Sequence, residues 1–455
     1  MPPAYSPALF TDLYELTMAQ AYWQAGKTAT GTFSLSIRNY PPDRAYFVLA
    51  GIDDILAYLE ELSFNQDDVE FLESLRLFDS EFLEFLRGLR FTGSVRAMPE
   101  GTIFFANEPV IEVTAPVIEG QIVETFAINR INLQSLLATK ASRVVHAARS
   151  WLVVDFGARR AHGIDAADQL ARTSYLAGFG GSSNLQACAR FAIPAFGTMA
   201  HAFVTTFDRE QDAFVAYARS FPDTSTFLVD SYDTIEGVRN AVSVALRMKE
   251  EGHGLVALRL DSGDIGALAR EARRMLDEVG LEDVQVFASG GLDEFEIDEL
   301  LASGAPIGGF GVGTKVGVSA DAPWTDCTYK LVEYAGRPLL KLSSGKETLT
   351  GPKQVFRSYH ANGDYEHDVI GLSVERRADG EPLLEDVMRD GRRLRPKPDL
   401  RVLRERFSAE FGRLPEPLRA LHSPDTYPVE ISDELRALQD RITLEVKERE
   451  LGESV

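Results

Sequence analysis

Cysteine is nearly absent from this 455-residue chain: Cys188 and Cys327 are the only two. That excludes a disulfide framework, argues against a cysteine-built metal site and points to a reducing compartment. Positive charge is scarce as well. The chain has 47 lysines and arginines against 69 aspartates and glutamates, a formal net charge of −22. Such a balance argues against general nucleic-acid or anionic-membrane binding, which needs basic surface. No apolar run reaches the roughly 18 residues of a membrane span. The opening MPPAYSPALFTDLYELT has no basic segment followed by an apolar one, so no secretory signal is expected and the expected location is cytoplasmic. Several catalytic signatures are also missing. There is no G-x-S-x-G elbow, no H-E-x-x-H zinc helix and no G-x-x-x-x-G-K-[ST] phosphate loop. Glycines at 308, 309, 311 and 313 miss the G-x-G-x-x-G register, so dinucleotide binding is not favoured.

What is present divides into three stretches. Residues 1–150 mix helix and strand. Within them, 9–25 is helical with Leu13, Leu16, Met18, Ala21 and Tyr22 facing inward, and Thr32–Ile37 alternates as a strand. Tyr46–Leu62 and Asp67–Leu89 read as helices, 91–118 as short antiparallel strands, and 122–150 as helix again. Residues 151–328 are more regular. Apolar runs at Leu152–Phe156, Ala195–Gly197, Thr226–Val229, Leu255–Leu260, Val284–Ala288 and Ile307–Val312 alternate with helical segments such as Thr234–Glu250, Ile265–Val279 and Glu294–Ala302. A further strand is expected near Ala177–Gly181. This is (β/α) repetition with six or seven strands, hence an α/β barrel that falls short of a regular eightfold one. Residues 329–455 lose the period and read as a hairpin around Ala335-Gly336-Arg337, short strands, the basic stretch Arg389–Lys397 and two helices.

The chemistry-bearing residues fall where barrel strands end, the face on which barrel enzymes carry their sites. The last two strands each empty into a glycine loop, Ser289-Gly290-Gly291 and Gly311-Val312-Gly313-Thr314-Lys315. Bare backbone N–H groups in such loops, followed by helix starts, suit a phosphate. In so acidic a chain, Arg159 and Arg259 at other strand ends carry weight as anion-binding groups. Asp230 and Asp261 can accept from sugar hydroxyls or hold Mg²⁺ through water. His201 is the one histidine of seven in a Gly-Thr-x-x-His setting at a strand end. Read singly, Phe156 and Tyr14 are as readily core aromatics.

The stretches TDLYELTMAQAYW at 11–23, DFGARRAHG at 155–163, GTMAHAFV at 197–204 and LRLDSGD at 258–264 carry a family resemblance. So do SGGLDE at 289–294, GFGVGTKVG at 309–317 and KLSSGK at 341–346. Together, in this order along most of the chain, they resemble nicotinate phosphoribosyltransferase; the last hundred or so residues are the least distinctive. The resemblance implies an irregular α/β barrel joined to a mixed α+β domain made from both chain ends. It also implies a homodimer whose partner subunit completes the barrel site. The implied reaction joins nicotinate to 5-phosphoribosyl 1-pyrophosphate (PRPP), giving nicotinate mononucleotide and pyrophosphate with coupled ATP hydrolysis, in NAD biosynthesis. ATP and Mg²⁺ are the implied cofactors. By the same resemblance, the 5′-phosphate belongs on Gly290, Gly291, Gly311, Gly313 and Thr314. Phe156, with Tyr14 of a neighbouring subunit, sandwiches the pyridine ring, and Arg159 pairs with its carboxylate. Arg259, Asp230 and Asp261 serve the sugar diphosphate, and His201 is the residue phosphorylated by ATP. Amide-using relatives place an aspartate in the loop where this chain has Ser183, so Ser183 is the expected acid-versus-amide position. The alternatives are a nicotinamide phosphoribosyltransferase and a catalytically silent homologue that binds metabolites.

Overall fold

The computed structural model describes residues 6–342, 348–378 and 380–452. Ser343, Ser344, Gly345 and Lys346 of the KLSSGK motif therefore lie outside the described residues. The chain forms two compact units, one of Met1–Leu136 with Trp324–Val455 and one of Leu137–Pro323.

The first unit is a mixed α+β body made from both chain ends. Its central strand Thr30–Ile37 pairs antiparallel with Pro109–Pro116 on one side and Cys327–Tyr334 on the other. The register sets Leu35 opposite Tyr329, and the Phe33 and Tyr329 rings stack at 5.0 Å. Seven strands share this sheet, and a four-stranded sheet comes wholly from residues after 352. Cys327–Tyr334 turns back through Ala335-Gly336 onto Arg337–Pro338, the expected hairpin.

Three sequence expectations in this unit need correction. Tyr46–Leu62 is not one helix: a short strand Phe47–Val48 precedes the helix Ile52–Glu61. Gly51 turns the chain between them at φ +106°, where an added Cβ would meet the Arg130 carbonyl oxygen at 2.8 Å. Asp67–Leu89 is two helices, Gln66–Ser74 and Ser80–Gly88, divided at Arg76 (φ 56°) and reopened by Asp79 at the N-cap position. Its apolar period runs through the break because both helices bury their faces in one core. In the helix Leu13–Gln24 the buried face is Glu15, Leu16 and Ala19, while Leu13 and Tyr14 are exposed.

The second unit is built on a six-stranded parallel sheet. Its order is Gly181–Ser182, Leu152–Asp155, Gly309–Val312, Gln285–Ala288, Ala257–Leu260, Thr226–Leu228. The strands curl as a half-barrel. Ala195 adds one parallel bridge to Ser182, which is what remains of the strand expected at Ala195–Gly197. The strand expected near Ala177–Gly181 is the short Gly181–Ser182. Crossover helices cover the sheet. Ile265–Asp277, capped by the Asp264 carboxylate accepting from Ala267 N, buries Ile265, Ala269, Ala272 and Leu276 at helical spacing. Because all six strands run parallel, their carboxyl ends share one edge, and that edge carries the site.

Candidate active site

A cleft of about 480 Å³ opens at that edge. It is lined by Phe156, Arg159, Ser183, Arg259 and Asp261, and by the glycine loops through Gly290, Gly291, Gly311, Gly313 and Thr314. These ten expected residues come from five strand ends and meet at one place. Tyr14 belongs to the other unit, on the exposed side of its helix.

At the end of the Leu152–Asp155 strand, the Asp155 side chain is buried and ties two loops together. Oδ1 accepts from Gly157 N at 2.7 Å, and Oδ2 accepts from the Ser182 hydroxyl at 2.5 Å. Ser183 N donates to the Asp155 carbonyl at 2.8 Å. Burial pushes the Asp155 carboxyl above its usual range, against these two side-chain hydrogen bonds. The loop bearing Phe156 and Arg159 is thereby fixed beside the loop bearing Ser183. The side chains of Arg159 and Arg160 are exposed and make no hydrogen bond or ion pair among the described residues. Ser183 is exposed too.

Arg259 behaves differently. Its Nε donates to Ser289 Oγ (2.8 Å), one terminal nitrogen to Thr198 Oγ1 (3.0 Å) and the Met199 carbonyl (3.3 Å), and the other to Asp261 Oδ1 (2.6 Å). The guanidinium also lies 5.4 Å from the Phe156 ring centroid. All three nitrogens are thus used inside the protein, and Arg259 braces the cleft wall. Burial opposes ionisation of Asp261, but the Ser289 hydroxyl and the Arg259 guanidinium outweigh it and hold this carboxyl below its usual range.

Asp230 and His201 adjoin this network. Asp230 Oδ2 accepts from Asp261 N at 3.2 Å and from the Ser262 hydroxyl at 2.5 Å. Its Oδ1 is buried, has no hydrogen-bond partner among the described residues, and lies 3.8 Å from His201 Nε2. The sequence reading places His201 at a strand end. Instead it opens the single-turn helix His201–Val204, with its side chain 45% exposed. Its Nδ1 is 3.0 Å from the Ser231 hydroxyl, so Ser231 holds the ring and Nε2 faces Asp230.

The glycines separate into two kinds. A Cβ on Gly290 would lie 1.9 Å from the Asp261 carbonyl oxygen, one on Gly311 would lie 2.5 Å from the Phe156 ring, and one on Gly313 would lie 2.9 Å from the Phe156 carbonyl oxygen. These three let the loops lie against one another. At Gly291, φ is +80° and nothing is within 4 Å, so its backbone faces open space.

Among the described residues no group of three or more His, Cys, Asp or Glu is placed to hold a metal ion. The unpartnered Asp230 Oδ1 is the donor on offer. One or two carboxylates completed by substrate phosphates and water is how magnesium is commonly bound, so these residues fit an ion that arrives with substrate. Asp155, Thr198, Ser231 and Ser262 have no role in the sequence reading, and Ser289 enters it only as the first residue of a glycine loop. Their only signal was position, small polar residues at or beside strand ends.

Three family models match the chain: the nicotinate phosphoribosyltransferase (NAPRTase) N-terminal domain over residues 9–132, the NAPRTase family over 151–336 and the C-terminal domain over 376–439. A nicotinate phosphoribosyltransferase of Mycobacterium tuberculosis is 50% identical across 94% of this chain and 92% of its own length. One of Bacillus subtilis is 37% identical across 98% of this chain and 96% of its own length. The crystal structure of human nicotinic acid phosphoribosyltransferase matches with a TM-score of 0.86 at 30% identity, covering 95% of this chain and 99% of that one. With matches of this length over both units, the chain belongs to the nicotinate phosphoribosyltransferase family.

Proposed function

We propose that this protein joins nicotinate to PRPP, forming nicotinate mononucleotide and pyrophosphate in NAD biosynthesis, with ATP hydrolysis coupled to the transfer. The observation that carries this reading is the cleft. An acidic chain concentrates the unpaired Arg159 and Arg160 and an open glycine backbone at Gly291 in one place, beside two carboxylates.

In the reaction, the pyridine nitrogen attacks C1 of the ribose as the bond to pyrophosphate breaks. Positive charge grows on the sugar and negative charge on the leaving group. Asp261, held ionised by Arg259 and Ser289, supplies the fixed negative charge that the developing cation needs. The 5′-phosphate sits against Gly291 and Thr314. Arg159 takes the nicotinate carboxylate, and Phe156 covers one face of the ring. Tyr14 of a second subunit covers the other face, so the working form is a cytoplasmic homodimer. Asp230 Oδ1 would help hold Mg²⁺, which neutralises the diphosphate when bound.

His201 is the residue phosphorylated by ATP. Its partial exposure suits an attack on a γ-phosphate, and Ser231 on Nδ1 leaves Nε2 as the nucleophilic nitrogen. Phosphorylation tightens the hold on PRPP, and later hydrolysis releases products. The test is to incubate the protein with nicotinate, PRPP and Mg²⁺, with and without ATP, and follow mononucleotide and pyrophosphate. Binding without turnover would make the chain a silent metabolite binder, and a preference for nicotinamide would overturn the substrate assignment. His201→Asn should abolish ATPase activity and ATP stimulation while slow ATP-independent transfer persists. Acid-labile, base-stable label from γ-labelled ATP should appear on wild type alone; label retained on the mutant removes this role from His201.

A further inference from the structure

We infer that Lys315 is a positioning residue for the phosphoribosyl subsite: its ammonium ties the Gly313-Thr314 loop to the start of the helix that follows Gly290-Gly291. This rests on the reading that the two glycine loops share the phosphate of PRPP. From sequence, a lysine beside Gly313 and Thr314 reads as a phosphate ligand. In the structure it is turned away from the cleft lining and toward two carboxylates. Nζ lies 3.2 Å from Asp293 Oδ2 and also pairs with Glu296 Oε1.

Those carboxylates are the two halves of a capping box. Asp293 Oδ1 accepts from Phe295 N at 2.9 Å, and Glu296 Oε2 accepts from Asp293 N at 3.0 Å. Each carboxylate therefore spends one oxygen on starting the helix Glu294–Ala302 and offers the other to Lys315. From the opposite direction, Lys140 and Arg143 reach Glu294, the first residue of the same helix, at 2.5 and 2.9 Å in full burial. The helix start is thus pinned to its surroundings, and Lys315 pins the neighbouring loop to it.

The backbone cannot do this alone. The strands Gln285–Ala288 and Gly309–Val312 are registered only at Phe287 with Gly309 and Ala288 with Phe310. Beyond that ladder the Gln285–Ala288 strand enters its loop while Gly311 and Val312 continue against Val154 and Asp155, and among the described residues no backbone hydrogen bond joins the two loops, so side chains set the distance between them. A phosphate bound by backbone N–H groups from both loops is sensitive to that separation on the scale of a fraction of an ångström.

The test compares K315M, E296Q, K315R and the K315M/E296Q double variant by steady-state kinetics and thermal unfolding. K315M should raise KM for PRPP about tenfold and move KM for nicotinate less than about twofold. E296Q should shift the PRPP constant in the same direction by less, and K315R should stay near wild type. The double variant should be no worse than K315M, because both changes cut the same link. A lysine that touched phosphate directly would give the opposite pattern: freeing it with E296Q would leave or lower KM for PRPP, and the double effect would be additive. That result overturns the proposal, as does a K315M variant with wild-type KM for PRPP. If K315M does not fold, E296Q, on a partly exposed site, decides by the sign of its shift. Failure of the wild type to make mononucleotide from nicotinate and PRPP would instead refute the reading of the site.

Discussion

Gly291 and Gly313 are both glycines of the proposed phosphate loops, yet the structure gives them different reasons to be glycine. At Gly291, φ is +80° and an added Cβ meets nothing within 4 Å. Alanine there pays a left-handed backbone penalty of about 1–2 kcal/mol and no steric one. In a chain of this size such a penalty lowers Tm by only a few degrees. The new methyl group would occupy the space a phosphate needs, so KM for PRPP should rise by about one to two orders of magnitude, with KM for nicotinate nearly unchanged. At Gly313 φ is −137°, outside the left-handed region, but the Cβ would lie 2.9 Å from the Phe156 carbonyl oxygen and 3.1 Å from its carbon. Alanine there pushes on the segment that carries Phe156 and Arg159, so both Michaelis constants should rise together. The assay is the pair of constants for each variant, with Tm measured alongside. Equal effects on both substrates at Gly291, or a purely PRPP effect at Gly313, would refute the assignment of open backbone to one glycine and loop packing to the other.

Two further outcomes follow from single side chains. Ser183→Asp places a carboxylate in the cleft where Arg159 is unpaired; it should cut kcat/KM for nicotinate by about a hundredfold through like-charge repulsion and admit nicotinamide, and competition between the two substrates measures the switch. Glu15 is fully buried, and burial pushes its carboxyl up to about 7 from 4.5, against hydrogen bonds from Thr11 and Thr125. The folded chain then holds a proton that the unfolded chain releases, so this group lowers stability as pH rises from about 4.5 to about 7. The full shift is worth at most about 3 kcal/mol, and about 1–2 kcal/mol after solvent screening. Glu15→Gln should match wild type in Tm near pH 4.5 and exceed it at pH 8; the same difference at both pH values would show that Glu15 does not carry the proton.

The repeating part of the chain was legible because its period is local. Thr234–Glu250 and Glu294–Ala302 have the bounds that their apolar spacing suggests, and glycines after successive strands mark the edge that carries the cleft. What periodicity reports is burial, not partnership. It could not show that Asp67–Leu89 breaks at Arg76, since both halves face one core. Nor could it show that Leu13 faces solvent while Glu15 faces inward. The same limit applies at the site. Arg259 and Arg159 look alike in sequence, both at strand ends, yet one is saturated by Ser289, Thr198, Met199 and Asp261 and the side chain of the other has no partner among the described residues. Apart from Asp261, two positions on, that distinction depends on residues 30 to 61 positions away, which no local pattern records.

The difference between the two arginines bears on how the site works. A guanidinium that already donates in four directions cannot turn toward a ligand without leaving Asp261 uncompensated in a half-buried setting, and breaking such a pair costs more than a surface salt bridge returns. Arg259 therefore keeps its position as substrate binds, and with it the Asp261 carboxylate, the Ser289 hydroxyl and the Phe156 ring. Asp155 does the same for the loops of Arg159 and Ser183 through Gly157 N and the Ser182 hydroxyl. Groups that must meet developing charge are thus bonded in place beforehand, and little reorganisation is left for the moment of reaction. Among the residues lining the cleft, Arg159 and Arg160 are exposed cations whose side chains have no partner among the described residues. On the proposed reading, in a chain of net charge −22, substrate meets positive charge on Arg159 and Arg160 while the negative charge of Asp230 and Asp261 stays bonded in place.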